Sequence, residues 1–167
     1  MNYTLDEFAT DCRMALQANH GPEGYEAVRQ HVMRALTDEL FVATYLGEDN
    51  TIQRQILYED SELGFCICAH VYDEAKEGSP HDHGPTWAIY GQAIGETKMT
   101  DWEIVSPPEG DVPGKVRLVR SYTLIAGDAH VYKPGDIHAP LRDGPTRLIR
   151  IEGQNTDKVK RTLLEAV

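Results

Sequence analysis

The chain has 167 residues, enough for one well-buried domain and short for two. Its 27 acidic against 16 basic residues give a formal charge of -11, which argues against a partner rich in phosphate or anionic lipid. No nucleic-acid or membrane partner is therefore expected.

The opening residues MNYTLDEF carry no basic leader pattern, and no apolar run approaches the length of a spanning segment. Only three cysteines occur, Cys12, Cys66 and Cys68, an odd number unlike a secreted disulfide framework. A cytoplasmic protein with reduced thiols is expected.

Along the chain, Thr4-Leu-Asp-Glu7 reads as a capping box that opens a helix carrying Phe8, Cys12 and Leu16 on one side, and Gly21-Pro22 stops it. From Glu23 to about Leu46 the spacing of Tyr25, Val28, Val32, Leu36, Leu40 and Phe41 predicts one or two more helices, with a break near Thr37-Asp38. The texture then changes to short β-rich runs: IQRQILY, FCICAHVY, TWAIYGQAI, KVRLVRSYTLI, AHVYKP and TRLIRI. From Asn155 to Val167 a capping residue followed by Val159, Leu163 and Leu164 predicts a C-terminal helix. The organisation expected is a helical extension over 1–48, a β-barrel over 49–154 and a terminal helix over 155–167, all one domain. Six or more short strands with turns between them predict an eight-stranded jelly roll whose helical ends cover exposed edges or faces. Such barrels often pair through edge strands, so a homodimer is one expectation.

Three histidines carry the chemistry. In His81-Asp82-His83 strand alternation points both imidazoles to one face and Asp82 to the other, so the two can share a metal. The turn at Pro134-Gly135 leads into GDIHAP, which delivers His138 from another strand. Three neutral imidazoles leave the charge of a divalent ion uncompensated and leave coordination positions open, so a small anionic ligand would be drawn in.

Together these two segments resemble the paired motifs of the cupin superfamily, over about Thr51 to Gly153. The first motif of that family usually carries a Glu four or five residues after the second His. Here that place is Ala88, although the following Gly95 is in register. The missing carboxylate is similar to the three-histidine subgroup typified by thiol dioxygenases of the cysteine dioxygenase type. That resemblance implies a double-stranded β-helix, Fe(II) as the first choice of metal with Mn, Ni or Zn as alternatives, and dioxygen with a small anionic substrate. It also sets Arg54 within one residue of the Arg that grips the substrate carboxylate in that family. Strand alternation places Arg54 with Ile52, Ile56 and Tyr58, where it would meet either an anionic ligand or an internal carboxylate.

Cys66, Cys68, His70 and Tyr72 share one face of their strand, as a packed row or a rival thiolate site, with Tyr72 able to border the pocket. Trp87, four residues past His83, would offer the metal site an aromatic wall if the strand ran straight, and core packing accounts for it equally well. Where the family carries an interior Ser, His and Tyr this chain has Leu148, Arg150 and Glu152, so the resemblance does not extend to cysteine as the substrate. The positions of the family's Cys to Tyr cross-link read Ala88 and Glu152, and no such bond can form. Arg150 and Glu152 would be either an outward stripe opposite Ile149 and Ile151 or an inward pair that reshapes the pocket. A dioxygenase acting on a small thiol or enolisable acid is the leading expectation. A non-oxidative isomerase or lyase, or a small-molecule sensor, is the alternative.

Overall fold

A computed structural model describes residues 2–167. Three helices come first: α1 (Leu5–Ala18), α2 (Pro22–Leu36) and α3 (Glu39–Leu46). The capping box is present, with Thr4 Oγ1 accepting from the Glu7 N–H at 3.2 Å and Glu7 Oε2 accepting from the Thr4 N–H at 2.9 Å. The break falls at Thr37-Asp38, where Asp38 caps α3 by accepting from the Phe41 N–H at 3.0 Å.

Ten strands follow: β1 (Arg54–Glu59), β2 (Cys66–Tyr72), β3 (Lys76–Glu77), β4 (Ala88–Ile94), β5 (Thr97–Ser106), β6 (Gly114–Leu124), β7 (Ala129–Tyr132), β8 (Ile137–Arg142), β9 (Thr146–Glu152) and β10 (Leu164–Ala166). They form two five-stranded sheets, ordered β1-β2-β9-β4-β7 and β10-β6-β5-β8-β3. If the edge strands β1 and β10 are set aside, four antiparallel strands remain on each side, and consecutive strands from β2 to β9 switch sheets at every step except the β5–β6 hairpin, which stays within one sheet. This is the double Greek-key order of an eight-stranded jelly roll, the double-stranded β-helix.

The period of two in β2 and β9 separates two environments. Phe65, Ile67, Ala69, Val71, Ile149 and Ile151 face the helices and join Phe8, Val28, Val32 and Phe41 in the larger apolar core. That core therefore lies outside the barrel, between one sheet and the helical layer. The alternate residues Cys66, Cys68, His70, Leu148, Arg150 and Glu152 point inward, where the apolar filling is a small cluster of Ala88, Tyr90, Met99, Leu124 and Tyr132. A barrel whose stability comes from its outer face can keep a polar interior.

Two expectations need correction. The segment after Asn155 is not a helix: Asn155 caps a single 3-10 turn over Thr156–Lys158, and Leu164–Ala166 then pairs in parallel with Gly114–Val116 of β6. Leu163 stays exposed, so the apolar spacing had no core face to dock on. Thr162 is instead tied to Asp82, its hydroxyl donating at 2.5 Å and its N–H at 3.2 Å. The sequence reading also passed over β5, whose Lys98, Asp101 and Glu103 disguise a strand paired along most of its length with β6. In β1 a register shift between Ile56 and Tyr58 sends Tyr58 to the helical side, where it donates to Asp60 Oδ2 at 2.9 Å, while Arg54 keeps to the barrel side.

Gly91 lets α2 lie on the sheet: a Cβ there would sit 2.4 Å from Val32 Cγ1 and 3.1 Å from Leu36 Cδ1. We expect Gly91→Ala to lower stability by about 1 to 3 kcal/mol through overpacking, read as a shift of the urea midpoint. An unchanged midpoint would mean that the helical layer floats on the barrel.

Candidate metal centre

His81 and His138 are brought together by the backbone itself. Each donates its N–H to the other's carbonyl at 3.0 Å, forming an isolated antiparallel bridge that sets both side chains on the inward face. His83 follows on the same face, and the ligand atoms of all three lie within 4.8 Å of one another. Among the described residues they form the one group of three or more His, Cys, Asp and Glu side chains so arranged. Asp82 points the other way, accepting from the Gly84 N–H at 3.0 Å and from Thr162. Burial works to raise its pKa, but these donors outweigh it and hold the carboxyl below its ordinary value.

All three imidazoles stay neutral, as metal ligation requires. Burial is the chief cause in each case. It holds His81 down to about 4 and draws His83 and His138 well below the ordinary imidazole value, with Arg150 adding repulsion at both. His81 Nδ1 lies 2.9 Å from the Ser79 carbonyl and His138 Nδ1 3.2 Å from that of Asp136, which puts each proton on Nδ1 and frees each Nε2 for a metal. His83 is poised differently. Arg150 Nη2, which can only donate, lies 3.2 Å from its Nδ1, so His83 carries its proton on Nε2 and directs it to His138 Nε2 at 3.1 Å.

Ligation through His83 Nε2 moves that proton to Nδ1 and requires Arg150 to turn its donor away. Glu152 Oε1, 3.2 Å from Arg150 Nε, is the alternative acceptor, and neither of these two atoms has a hydrogen-bond partner. The donor set thus fits a divalent metal ion, with His81 and His138 preset and His83 governed by Arg150.

Among the other residues singled out from the sequence, Arg54 and Tyr72 line the cavity beside the centre, which has a volume of about 330 Å³. Arg54 is not waiting for a ligand: it pairs with Glu152 at 2.9 Å and Asp157 at 2.5 Å. Trp87 is corrected. It stacks on Tyr25 of α2 with ring centroids 4.6 Å apart, facing away from the imidazoles, because the Gly84 turn (φ +61°) breaks the strand alternation between His83 and Trp87. A side chain at Gly84 would also collide with the crossing tail, 2.7 Å from the Lys160 carbonyl.

Arg150 and Glu152 point inward, which resolves the open choice, and Ala88 sits directly across from Glu152 in the ladder. Burial pushes the Cys66 and Cys68 thiols up to about 11 and about 12, so that row offers no thiolate site near neutral pH.

Sequence reasoning missed Tyr90 and Arg142, and placed His70 only in a packed row or thiolate set with Cys66 and Cys68. Tyr90 Oη lies 3.3 Å from Nε2 of both His83 and His138. Arg142 shares the cavity and follows His138 by four residues on one strand face, a spacing that could have flagged it.

Neither a family model nor a curated protein matches the sequence. Among solved structures the chain is similar to KdgF from a Halomonas species, at 18% identity over 64% of this chain and 83% of that one, TM-score 0.47. It is also similar to a cupin superfamily protein from Desulfitobacterium hafniense, at 14% identity over 71% and 82%, TM-score 0.45. A third is a protein with a double-stranded β-helix domain from Klebsiella pneumoniae, at 19% identity over 74% and 88%, TM-score 0.48. The strand order itself defines the class of fold: a double-stranded β-helix. Within that class, this chain carries a cluster of three histidines and no carboxylate in the ligand set.

We expect one metal ion per chain. His81→Ala, His83→Ala or His138→Ala should each abolish stoichiometric binding in elemental analysis while thermal unfolding stays cooperative. Full occupancy in His138→Ala would break the triad. A second expectation concerns pH in the metal-free protein. The unfolded imidazoles protonate near 6.5, whereas folded His81 resists until about 4, so the folded state takes up fewer protons between those values. Stability from this source is complete above about pH 6.5 and falls as pH drops toward 4. Urea midpoints that stay level over that interval would contradict it.

Proposed function

We propose that the protein is a metal-dependent enzyme of the cupin type acting on a small anionic substrate, with Fe(II) and dioxygen as its reaction partners. The observation that supports this most is the set of three neutral imidazoles, one of which, His81, lines a cavity together with Arg54, Arg142, Arg150, Arg161 and Lys76. Glu152 and Asp157 answer Arg54 and Arg150, and the cations of the lining still outnumber the carboxylates that meet them, an excess that in a chain of charge -11 suits an anionic ligand. An iron(II) ion held there would supply the open positions and the redox partner that dioxygen needs.

The chain's own part is binding and positioning. The cationic lining attracts the substrate, Arg150 faces His83, and the Tyr90 hydroxyl can donate to or accept from an oxygen lying between His83 and His138. For a thiol the balanced reaction is RS⁻ + O₂ → RSO₂⁻, which draws on no further reductant. The Tyr90 hydroxyl also favours a second reading, in which a redox-inert ion polarises a carbonyl and Tyr90 carries a proton during an isomerisation or elimination.

Oxygen uptake separates the two. Protein purified anaerobically and loaded with Fe(II) should consume dioxygen with 3-mercaptopropionate or an enolisable 2-oxo acid. The uptake should vanish in His138→Ala and in zinc-loaded protein. Conversion of such an acid by zinc-loaded protein without dioxygen would decide for the second reading.

A further inference from the structure

Charge pairing around the cavity is uneven. Arg54 is held by Glu152 and Asp157 and Arg150 by Glu152, while the exposed Lys76 and Arg161 of the same lining have solvent in place of an ion pair. Arg142 is only 4% exposed, yet among the described residues no carboxylate lies within ion-pair distance and its Nε has no hydrogen-bond partner. Its one compensation is the face of Tyr72, 4.3 Å from the guanidinium carbon. A guanidinium keeps its charge near neutral pH even where burial disfavours it, so this is an uncompensated buried cation.

Beside it His70 is 3% exposed, with Nδ1 at 3.2 Å from the Tyr72 hydroxyl and Nε2 without a partner. Arg142, His70 and Tyr72 line one cavity together with His81 and Tyr90. A polar group buried without a partner is costly unless a ligand completes it.

We propose that Arg142, with His70 and Tyr72, forms a second anion-binding subsite, and that the ligand is a small dianion with one end at the three-histidine centre and the other on Arg142. The metal end of this assignment rests on the metal-centre reading above; the Arg142 end does not. His138 and Arg142 stand four residues apart on one strand face, roughly 13 Å along the strand, and the long Arg side chain closes much of that gap. The guanidinium fork suits a carboxylate or a phosphate, and His70 with its proton on Nε2, accepting from Tyr72 at Nδ1, adds a second donor. The same demand on ligand charge applies whether the centre oxidises or isomerises.

Calorimetry tests it with two probes that chelate a metal identically, 2-oxoglutarate and 2-oxobutyrate, on zinc-loaded protein without dioxygen. The wild type should bind the dianion at least about tenfold more tightly, the scale of one charged hydrogen bond. Arg142→Gln should lose that preference while its affinity for 2-oxobutyrate and its zinc content stay the same. Arg142→Lys should keep part of it. Equal binding of the two acids by the wild type, or a preference that survives in Arg142→Gln, overturns the subsite. If zinc fails to load, the metal reading falls by itself, and inorganic phosphate titrated into chelator-treated protein decides instead. Binding weakened about tenfold or more in Arg142→Gln supports the subsite, and binding that is absent or unaltered overturns it.

Discussion

Glu152, fully buried, is the charge on which the barrel interior depends. Its carboxylate faces Arg54 at 2.9 Å and Arg150 at 3.2 Å and accepts from the Thr156 N–H at 3.0 Å. Burial works against its ionisation, but the two guanidiniums and the amide outweigh that cost and hold it below the usual carboxylate range. One negative charge thus serves two cations and one backbone donor, and nothing is left over for Arg142. The uneven share-out separates Arg54 and Arg150, which shape the site, from Arg142, a buried arginine with no carboxylate of its own.

The position of the apolar core follows the same logic. Helices α1 to α3 cover the outer face of one sheet with Phe8, Val28, Val32 and Phe41, so stability does not require the barrel to be filled with hydrocarbon. The interior can then hold histidines, arginines and a glutamate at charge densities that an apolar barrel would not tolerate. Tyr90 and Tyr132 mark the transition, since they pack with Met99 and Leu124 on one side and approach His138 on the other.

Much of this was legible in the sequence wherever a local rule acted alone. Alternation in FCICAHVY sorted Phe65, Ile67, Ala69 and Val71 from Cys66, Cys68, His70 and Tyr72, and the structure places the two sets on opposite faces. The three histidines were legible because H-x-H and GDIHAP each sit on extended backbone. The rule failed for Trp87, where the turn at Gly84 reverses the face within three residues. It failed again after Asn155, where helical spacing lost to a parallel strand partner and a tie to Asp82 that no local pattern encodes. The inward turn of Arg150 and Glu152 depends on each having the other and Arg54 across the sheet, a long-range pairing invisible along the chain.

The tie between Asp82 and Thr162 has a consequence for the life of the chain. The residue between two of the three ligating imidazoles is anchored to a partner eighty positions downstream. During synthesis the loop that carries His81 and His83 is therefore without its brace until that distant stretch has left the ribosome. An ion taken up at this centre would then be met by the finished cavity rather than by a nascent peptide. A site completed so late would select among cations by cavity shape and donor geometry, not by their affinity for loose histidines.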